Sequence, residues 1–393
     1  MILRRLGSGL LDQILSSLSN IVFILALARV SSVEAFGALS FAYAVCTFGM
    51  GLQRAATGPL ISLSRNVRCH PTLLCVLWGA IISFAGYLLI TVILGTPPRL
   101  ATVLLLANSI AAFPQDSLRY QSIAGQRTYA AILSDGFWCI ASILLVLLAG
   151  PLRLGPTETV VLYNLSTVVA LLMLLFVLKP GWGSPVSWLL LHFSELKSLV
   201  PDALLATAVP LAITASVAAH FSLADVGGMR GGGTLLGPVS LLMSAIPLVL
   251  LGEMSRANGR ERLRISLAQT TVMGVFVIAC GSIVWLLPDR TGVALLGGAW
   301  ESAHGLIPFI ALDMFFFALA SGPILFLRTG RHWQSILKAR LTYAGIVLAI
   351  LLAGRSFASI EAFLASLAFA SFANFGFVAL AAWNLRSGAE SSR

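Results

Sequence analysis

Long apolar runs, each closed by a charged, proline or glycine break, recur twelve times along the chain. A run of about 20 residues rising 1.5 Å per residue matches the hydrocarbon thickness of a bilayer. The pattern predicts membrane-spanning helices over 10–30, 36–62, 72–94, 100–118, 130–150, 158–178, 199–221, 229–252, 265–287, 305–327, 334–353 and 361–384. Spans one and four are the least apolar, and the first carries Asp12, Gln13, several serines and Asn20. Half-polar helices of this kind face a bundle interior or an aqueous cavity rather than lipid. The longest connection contains Lys179-Pro180-Gly181-Trp182-Gly183-Ser184-Pro185, an irregular linker. It divides the chain into an N-terminal lobe of six spans (1–180), a cytoplasmic linker (181–198) and a C-terminal lobe of six spans (199–393).

Composition sharpens this picture. Of 393 residues, 58% are hydrophobic and 10% charged, against roughly 25% charged in soluble domains. This excludes both a water-soluble globule and a disordered chain. The net charge of +10 has no soluble basic domain to carry it, so nucleic-acid binding is not expected. Its source is loop charge. With the N-terminus inside, 18 of the 25 Lys and Arg residues fall on the inner side, five fall outside and two, Arg54 and Arg230, fall within spans. Excess basic charge in cytoplasmic loops orients membrane proteins, so both termini are expected in the cytoplasm. The short basic Met1–Arg5 segment leads into an apolar run without a clear cleavage site, read as the first span rather than a signal peptide.

A faint repeat relates the halves. Shifted by 204 residues, 127–150 aligns without gaps on 331–354, with Arg127 on Arg331, Tyr129 on Trp333 and Leu147-Leu148-Ala149-Gly150 on Leu351-Leu352-Ala353-Gly354. Two six-span halves share one orientation, which implies a pseudo-two-fold axis along the membrane normal.

Charges inside the spans are the candidates for chemistry. Arg54, late in span two, is either a cavity cation for an anionic substrate or an arginine reaching to the inner interface. Pro59 beside Thr57-Gly58 predicts a local helix break near it. Arg230 lies in Gly227-Gly228-Met229-Arg230-Gly231-Gly232-Gly233 at the expected opening of span eight. There a guanidinium and helix N-terminal amides suit an anion, while the four-residue glycine spacing equally suits helix packing. Arg29, at the end of span one, either joins that cationic path or anchors the helix at the headgroups. Asp116 and Arg119 have the spacing of an intrahelical ion pair, and with Pro114 and Gln115 they form a candidate gate. Asp313, nine residues into span ten, suits proton or ion coupling, or else pairs with an arginine. Asp135 is expected to pair with Arg127 or Arg340. Thr214 and Asn374 are candidate oxygen donors for Na⁺, and Pro210, Pro238 and Pro247 are expected to break or bend their spans. The five cysteines include no C-x-x-C, and Cys69-His70 with Cys75 lacks the paired spacing of thiolate zinc sites, so no metal and no cofactor is expected. No Gly-x-Ser-x-Gly and no His-Glu-x-x-His occurs, and the first outer loop is only about Ser31 to Glu34. No enzyme is therefore expected.

Several segments carry a resemblance. Ser32-Val33-Glu34-Ala35-Phe36-Gly37, Gln115-Asp116-Ser117-Leu118-Arg119-Tyr120 with Gly125-Gln126-Arg127, Asp135-Gly136-Phe137-Trp138, Gly228 to Pro238, and Gly297-Gly298-Ala299-Trp300 together resemble Wzx-type polysaccharide flippases. The resemblance implies the superfamily that also holds MurJ and the MATE exporters: two six-helix lobes around a cavity open to one side at a time. It implies transport of a polyprenyl-diphosphate-linked oligosaccharide from the inner to the outer leaflet of a bacterial inner membrane, for cell-surface polysaccharide biosynthesis. Drive by H⁺ or Na⁺, membrane lipid around the polyprenyl tail, and polysaccharide-assembly proteins as candidate partners follow from it. By the same resemblance Arg29, Arg54 and Arg230 match the arginines of the cationic cavity. A MATE-like ion-coupled exporter of small organic molecules is the first alternative, and a membrane-embedded polysaccharide polymerase or ligase the second.

Overall fold

The computed structural model describes residues 2–63, 71–330 and 332–391, with side chains described at all of these except 2–10, 62, 63, 244, 245, 247–249, 251, 252, 255 and 386–391. Arg65, Arg68, Cys69, His70, Arg331 and Arg393 therefore lie outside the described residues, as do the side chains of Arg4, Arg5 and Arg386.

All regular structure among the described residues is helical. Helices α1 (Ile2–Val30), α2 (Val33–Leu63) and α3 (Thr72–Leu94) are followed by α4 (Leu100–Ala107) and α5 (Ser109–Ala124), then α6 (Thr128–Ala149), α7 (Pro156–Leu178) and a short α8 (Pro185–Leu191). The chain continues through α9 (Phe193–His220), α10 (Leu223–Leu235), α11 (Gly237–Arg256), α12 (Gly259–Trp285), α13 (Asp289–Leu296), α14 (Trp300–Thr329), α15 (Trp333–Leu352) and α16 (Ile360–Ser391). Among the described residues ten segments are long and apolar enough to cross a membrane, α13 and α14 counting as one. The two remaining expected spans are broken helices: α4 with α5, and α10 with α11. The chain is thus an all-α polytopic membrane protein of about twelve spans.

The breaks have local causes. Pro238 stands at the start of α11, where its missing N–H costs nothing, and the helix before it ends at Leu235. At Asn108 the backbone N–H is shared between the carbonyls of Leu104 and Leu105 at 3.1 and 3.2 Å, a tightened turn that re-aims the chain. Two expectations are corrected. Pro59 does not break α2, which runs on to Leu63, and Pro210 lies within continuous α9. A spanning helix tolerates proline because nearby hydroxyls and neighbouring helices satisfy the groups it releases.

The chain divides into two compact units: Met1–Gly227 with Val293–Ala299, and Gly228–Gly292 with Trp300–Arg393. In the first, α1 lies along α6, α2 packs on α9 and α5, and α3 on α5. The linker helix α8 is pinned here. Trp188 is buried with Leu60, Ile61 and Leu196, and its indole N–H donates to the Ala56 carbonyl at 3.3 Å. A Cβ on Gly51 would overlap the Thr207 side chain, so α9 sits tightly on α2. The seventh span therefore packs with the first unit, and the unit boundary differs from one drawn at the linker. In the second unit α14 packs along α12 and α16, and Ala320, Leu327, Ile336, Ala339 and Val378 form a core cluster.

Candidate functional site

Four helices of the first unit each bring polar side chains to one place. On α1, Asp12, Gln13, Ser16 and Asn20 recur at helical spacing and share one face. On α5, Gln115, Asp116 and Arg119 are all buried. Arg54 comes from α2, and Asp135 with Ser134 from α6. In an apolar bundle such groups must satisfy one another.

They do so around two guanidiniums. Arg54 grips Asp116 in a bidentate pair, Nε to Oδ2 at 3.0 Å and Nη2 to Oδ1 at 2.8 Å. Arg119 donates through Nη1 to Asp116 Oδ1 at 3.1 Å and to Ser16 Oγ at 3.2 Å, and through Nη2 to Gln13 Oε1 at 3.1 Å. Its Nε lies 2.8 Å from Asp12 Oδ2 and 3.5 Å from Asp135 Oδ2. Gln115 donates to Asp135 Oδ1 at 2.8 Å and to Ser134 Oγ at 3.2 Å. Five charged groups thus form one cluster, with three carboxylates against two guanidiniums. Asp12 is held through Oδ2 by its ion pair with Arg119, while Asp12 Oδ1 and Asp135 Oδ2 accept no hydrogen bond from a described residue.

Burial within the cluster is uneven. The side chains of Asp12, Asp116, Asp135 and Arg119 are 1%, 3%, 0% and 5% exposed, whereas that of Arg54 is 40% exposed. A cavity of about 320 Å³ opens beside it, lined also by Asn20, Tyr43, Asn108, Trp138 and Tyr163. Asp116 and Arg119 also line it, but Arg54 is the cluster's most exposed charged side chain, so the wall offers a cation to whatever enters.

The expected site residues separate into groups. Arg54, Asp116 and Arg119 are brought together. The Asp116–Arg119 pair is present, but it is part of a four-helix network rather than a pair within one helix. Arg29 is exposed at the end of α1 and does not line this cavity. Arg230 and Asp313 belong to the second unit. Arg230 does not open a helix: α10 starts at Leu223, so the amides around Arg230 sit inside the helix, where they serve intrahelical bonds. The glycines around it pack. A Cβ on Gly228 would press on the Ser302 backbone at 2.9 Å, and one on Gly232 on Ile310 at 2.8 Å. Asp313 has no arginine partner among the described residues and instead accepts from the Ser371 hydroxyl at 2.5 Å. Asp135 pairs with Arg119, not with Arg127 or Arg340. Among the described residues no three His, Cys, Asp or Glu side chains are grouped to hold a metal ion.

Sequence reasoning noticed Asp12 as a polar residue in a membrane helix without assigning it a partner. The available signal was the Asp12–Ser16–Asn20 face, the polar counterpart to the Gln115–Asp116–Arg119 face.

No protein-family model matches the chain, and no curated protein sequence matches it. Solved structures do. An inward-facing multidrug resistance MATE family transporter of the MOP superfamily is similar over 95% of this chain and 96% of that one, with a TM-score of 0.67 at 12% identity. The lipid II flippase MurJ in an inward closed conformation is similar over 97% of this chain and 87% of that one, with a TM-score of 0.64 at 14% identity. The Vibrio cholerae MATE transporter VcmN in its bent form is similar over 98% and 97%, with a TM-score of 0.57 at 15% identity. The fold is that of MATE transporters and MurJ.

Proposed function

We propose that the chain is a flippase of the bacterial inner membrane, with both termini in the cytoplasm. It carries a polyprenyl-diphosphate-linked oligosaccharide from the inner to the outer leaflet by alternating access. The observation that carries this reading is the half-exposed Arg54 guanidinium on the wall of the 320 Å³ cavity, while every acid of its cluster is almost fully buried. A diphosphate could not be drawn into a bilayer without cationic partners, and a planar guanidinium matches phosphate oxygens in bidentate fashion. The resemblance of the sequence to Wzx flippases and the MurJ-like fold point the same way. In this reading access alternates between the two sides of the membrane, and no covalent bond is made or broken. Arg230 adds a second phosphate contact, Arg29 anchors α1 at the headgroups, Asp116 and Arg119 form part of a gate, and Asp313 couples transport to an ion gradient.

The test is reconstitution in liposomes with a fluorescent polyprenyl-diphosphate saccharide whose label is quenched from outside. The wild-type protein should equilibrate the label between leaflets, and Arg54→Ala should not. Equal rates in the two would sink the reading.

A second reading has its own observation. Three carboxylates against two guanidiniums suit a MATE-like exporter of small organic cations, and the MATE transporters share the fold. Efflux of a cationic dye that survives Arg54→Ala and fails in Asp313→Asn would favour it.

A further inference from the structure

The five-charge cluster holds more than an anion contact needs. Two of the N–H groups of Arg54, on Nε and Nη2, go to Asp116, and the guanidinium has three more. A phosphate entering the cavity competes with that carboxylate for the charge of the guanidinium. Asp116 would not be stranded, because Arg119 Nη1 also holds its Oδ1 at 3.1 Å. The difficulty is charge. With all groups ionised the cluster carries one carboxylate more than it has guanidiniums. Engaging Arg54 elsewhere leaves three buried acids on Arg119 alone.

We infer that the cluster is a joint proton-and-anion site: taking up one proton on its carboxylates frees the charge of Arg54 for a phosphate group in the cavity. This rests on the flippase reading, and it places a proton-dependent step at the substrate site itself, separate from Asp313. The proton has a place to go. Asp135 Oδ2 accepts no hydrogen bond and lies 3.5 Å from Arg119 Nε, so at least one carboxylate can become a neutral acid without losing a hydrogen-bond donor. The proton comes from solution, forms one O–H bond and takes the cluster from one net negative charge to none.

The other groups facing the cluster do not compete for this role. Besides Arg54, α2 presents Tyr43 and Cys46, and besides Asp116 and Arg119, α5 presents Tyr120. Cys75 approaches Asp116 from α3, Cys139 lies near Asp135 on α6, and Tyr163 faces the cavity from α7. From α9 the cavity is lined by the neutral Thr207. Phenols and thiols ordinarily stay protonated at neutral pH, which leaves Asp12, Asp116 and Asp135 as the groups that gain or lose a charge.

Linkage makes the effect reciprocal: if a proton favours the anion, the anion favours the proton. In a proton-coupled exporter where the two compete for one acid, the sign is opposite. The experiment uses the full-length protein in nanodiscs and a short-chain dialkyl phosphate diester, whose own charge is constant between about pH 5 and about pH 8. Calorimetry in two buffers of different ionisation heat gives both affinity and protons exchanged. Wild-type affinity should rise as pH falls, by up to about tenfold per pH unit for one linked proton, with up to one proton taken up per anion bound. Asp12→Asn removes the excess charge permanently, so its affinity at high pH should approach that of the wild type at low pH. Asp135→Asn, which keeps an acceptor for Gln115, should do the same if Asp12→Asn does not fold. Pyrophosphate-free vesicles of anionic lipid serve as a second probe, separating a lipid phosphate from a free one.

Affinity that does not change with pH, or proton release on binding, overturns the coupling while leaving an Arg54-dependent anion site intact. No binding of the diester at any pH overturns the anion reading together with the coupling.

Discussion

Arg54 on α2 and Asp116 on α5, 62 residues apart in sequence, are joined by two hydrogen bonds of 3.0 and 2.8 Å, with the acid buried and the arginine half open to a cavity. Bidentate geometry is what distinguishes guanidinium from ammonium here. Arg54→Lys keeps the charge but loses the fork. Hydrogen bonds to charged groups contribute about 1.5–3 kcal/mol each, so the lysine variant should bind a phosphate diester about ten- to a hundredfold more weakly. Titration calorimetry checks this, and undiminished affinity would show that only the charge matters.

Arg119 is the hub, contacting Asp12, Asp116 and Asp135. Removing one partner of a buried ion pair costs about 3–5 kcal/mol because the remaining charge is left uncompensated. Arg119→Met should lower the thermal unfolding midpoint in detergent markedly. Adding Asp116→Asn to it should recover part of the loss, since one stranded charge disappears. A double variant no more stable than the single would mean that the charges are not energetically coupled.

Gly37 lies where α2 meets the Leu223 carbonyl, and a Cβ there would overlap that backbone. Backbone cannot rotate away as a side-chain tip can. Gly37→Ala should therefore destabilise the protein by about 1–3 kcal/mol, whereas Gly345→Ala, with open space around it, should be neutral or slightly stabilising. Unfolding midpoints of the two variants, measured side by side, test the contact.

Asp313 and Ser371 form a hydroxyl-to-carboxylate bond in the second unit. Asp313→Asn keeps an acceptor for Ser371 but can neither carry a charge nor exchange a proton. Ion-driven transport in vesicles should fall while binding of the phosphate diester, which depends on Arg54 in the first unit, stays unchanged. Loss of diester binding in this variant would show that the residue matters for shape or long-range coupling instead.

The helices were legible in the sequence because twelve apolar runs leave little else for a chain that must satisfy its backbone in oil. The two half-polar spans were legible for the same reason: Asp12 and Arg119 cannot face lipid without cost. Partner choice was not. Asp135 has Arg127 nearby in sequence, yet it meets Arg119 because α5 and α6 pack side by side. Arg230 illustrates a further limit. Its glycines read as a helix opening, but the helix starts seven residues earlier, and the register of a start cannot be fixed where small residues fit both a turn and a packed interface.

What the sequence determined by itself was the solvent, the number of crossings and the fact that some charges had to be hidden, all consequences of transfer free energy acting locally on each run. Only tertiary structure decided which charges face each other and which one stays open. The burial of Asp116 against Arg54 depends on how α2 and α5 pack, and electrostatic pairing in a bundle is set by distances between helices that no local pattern records.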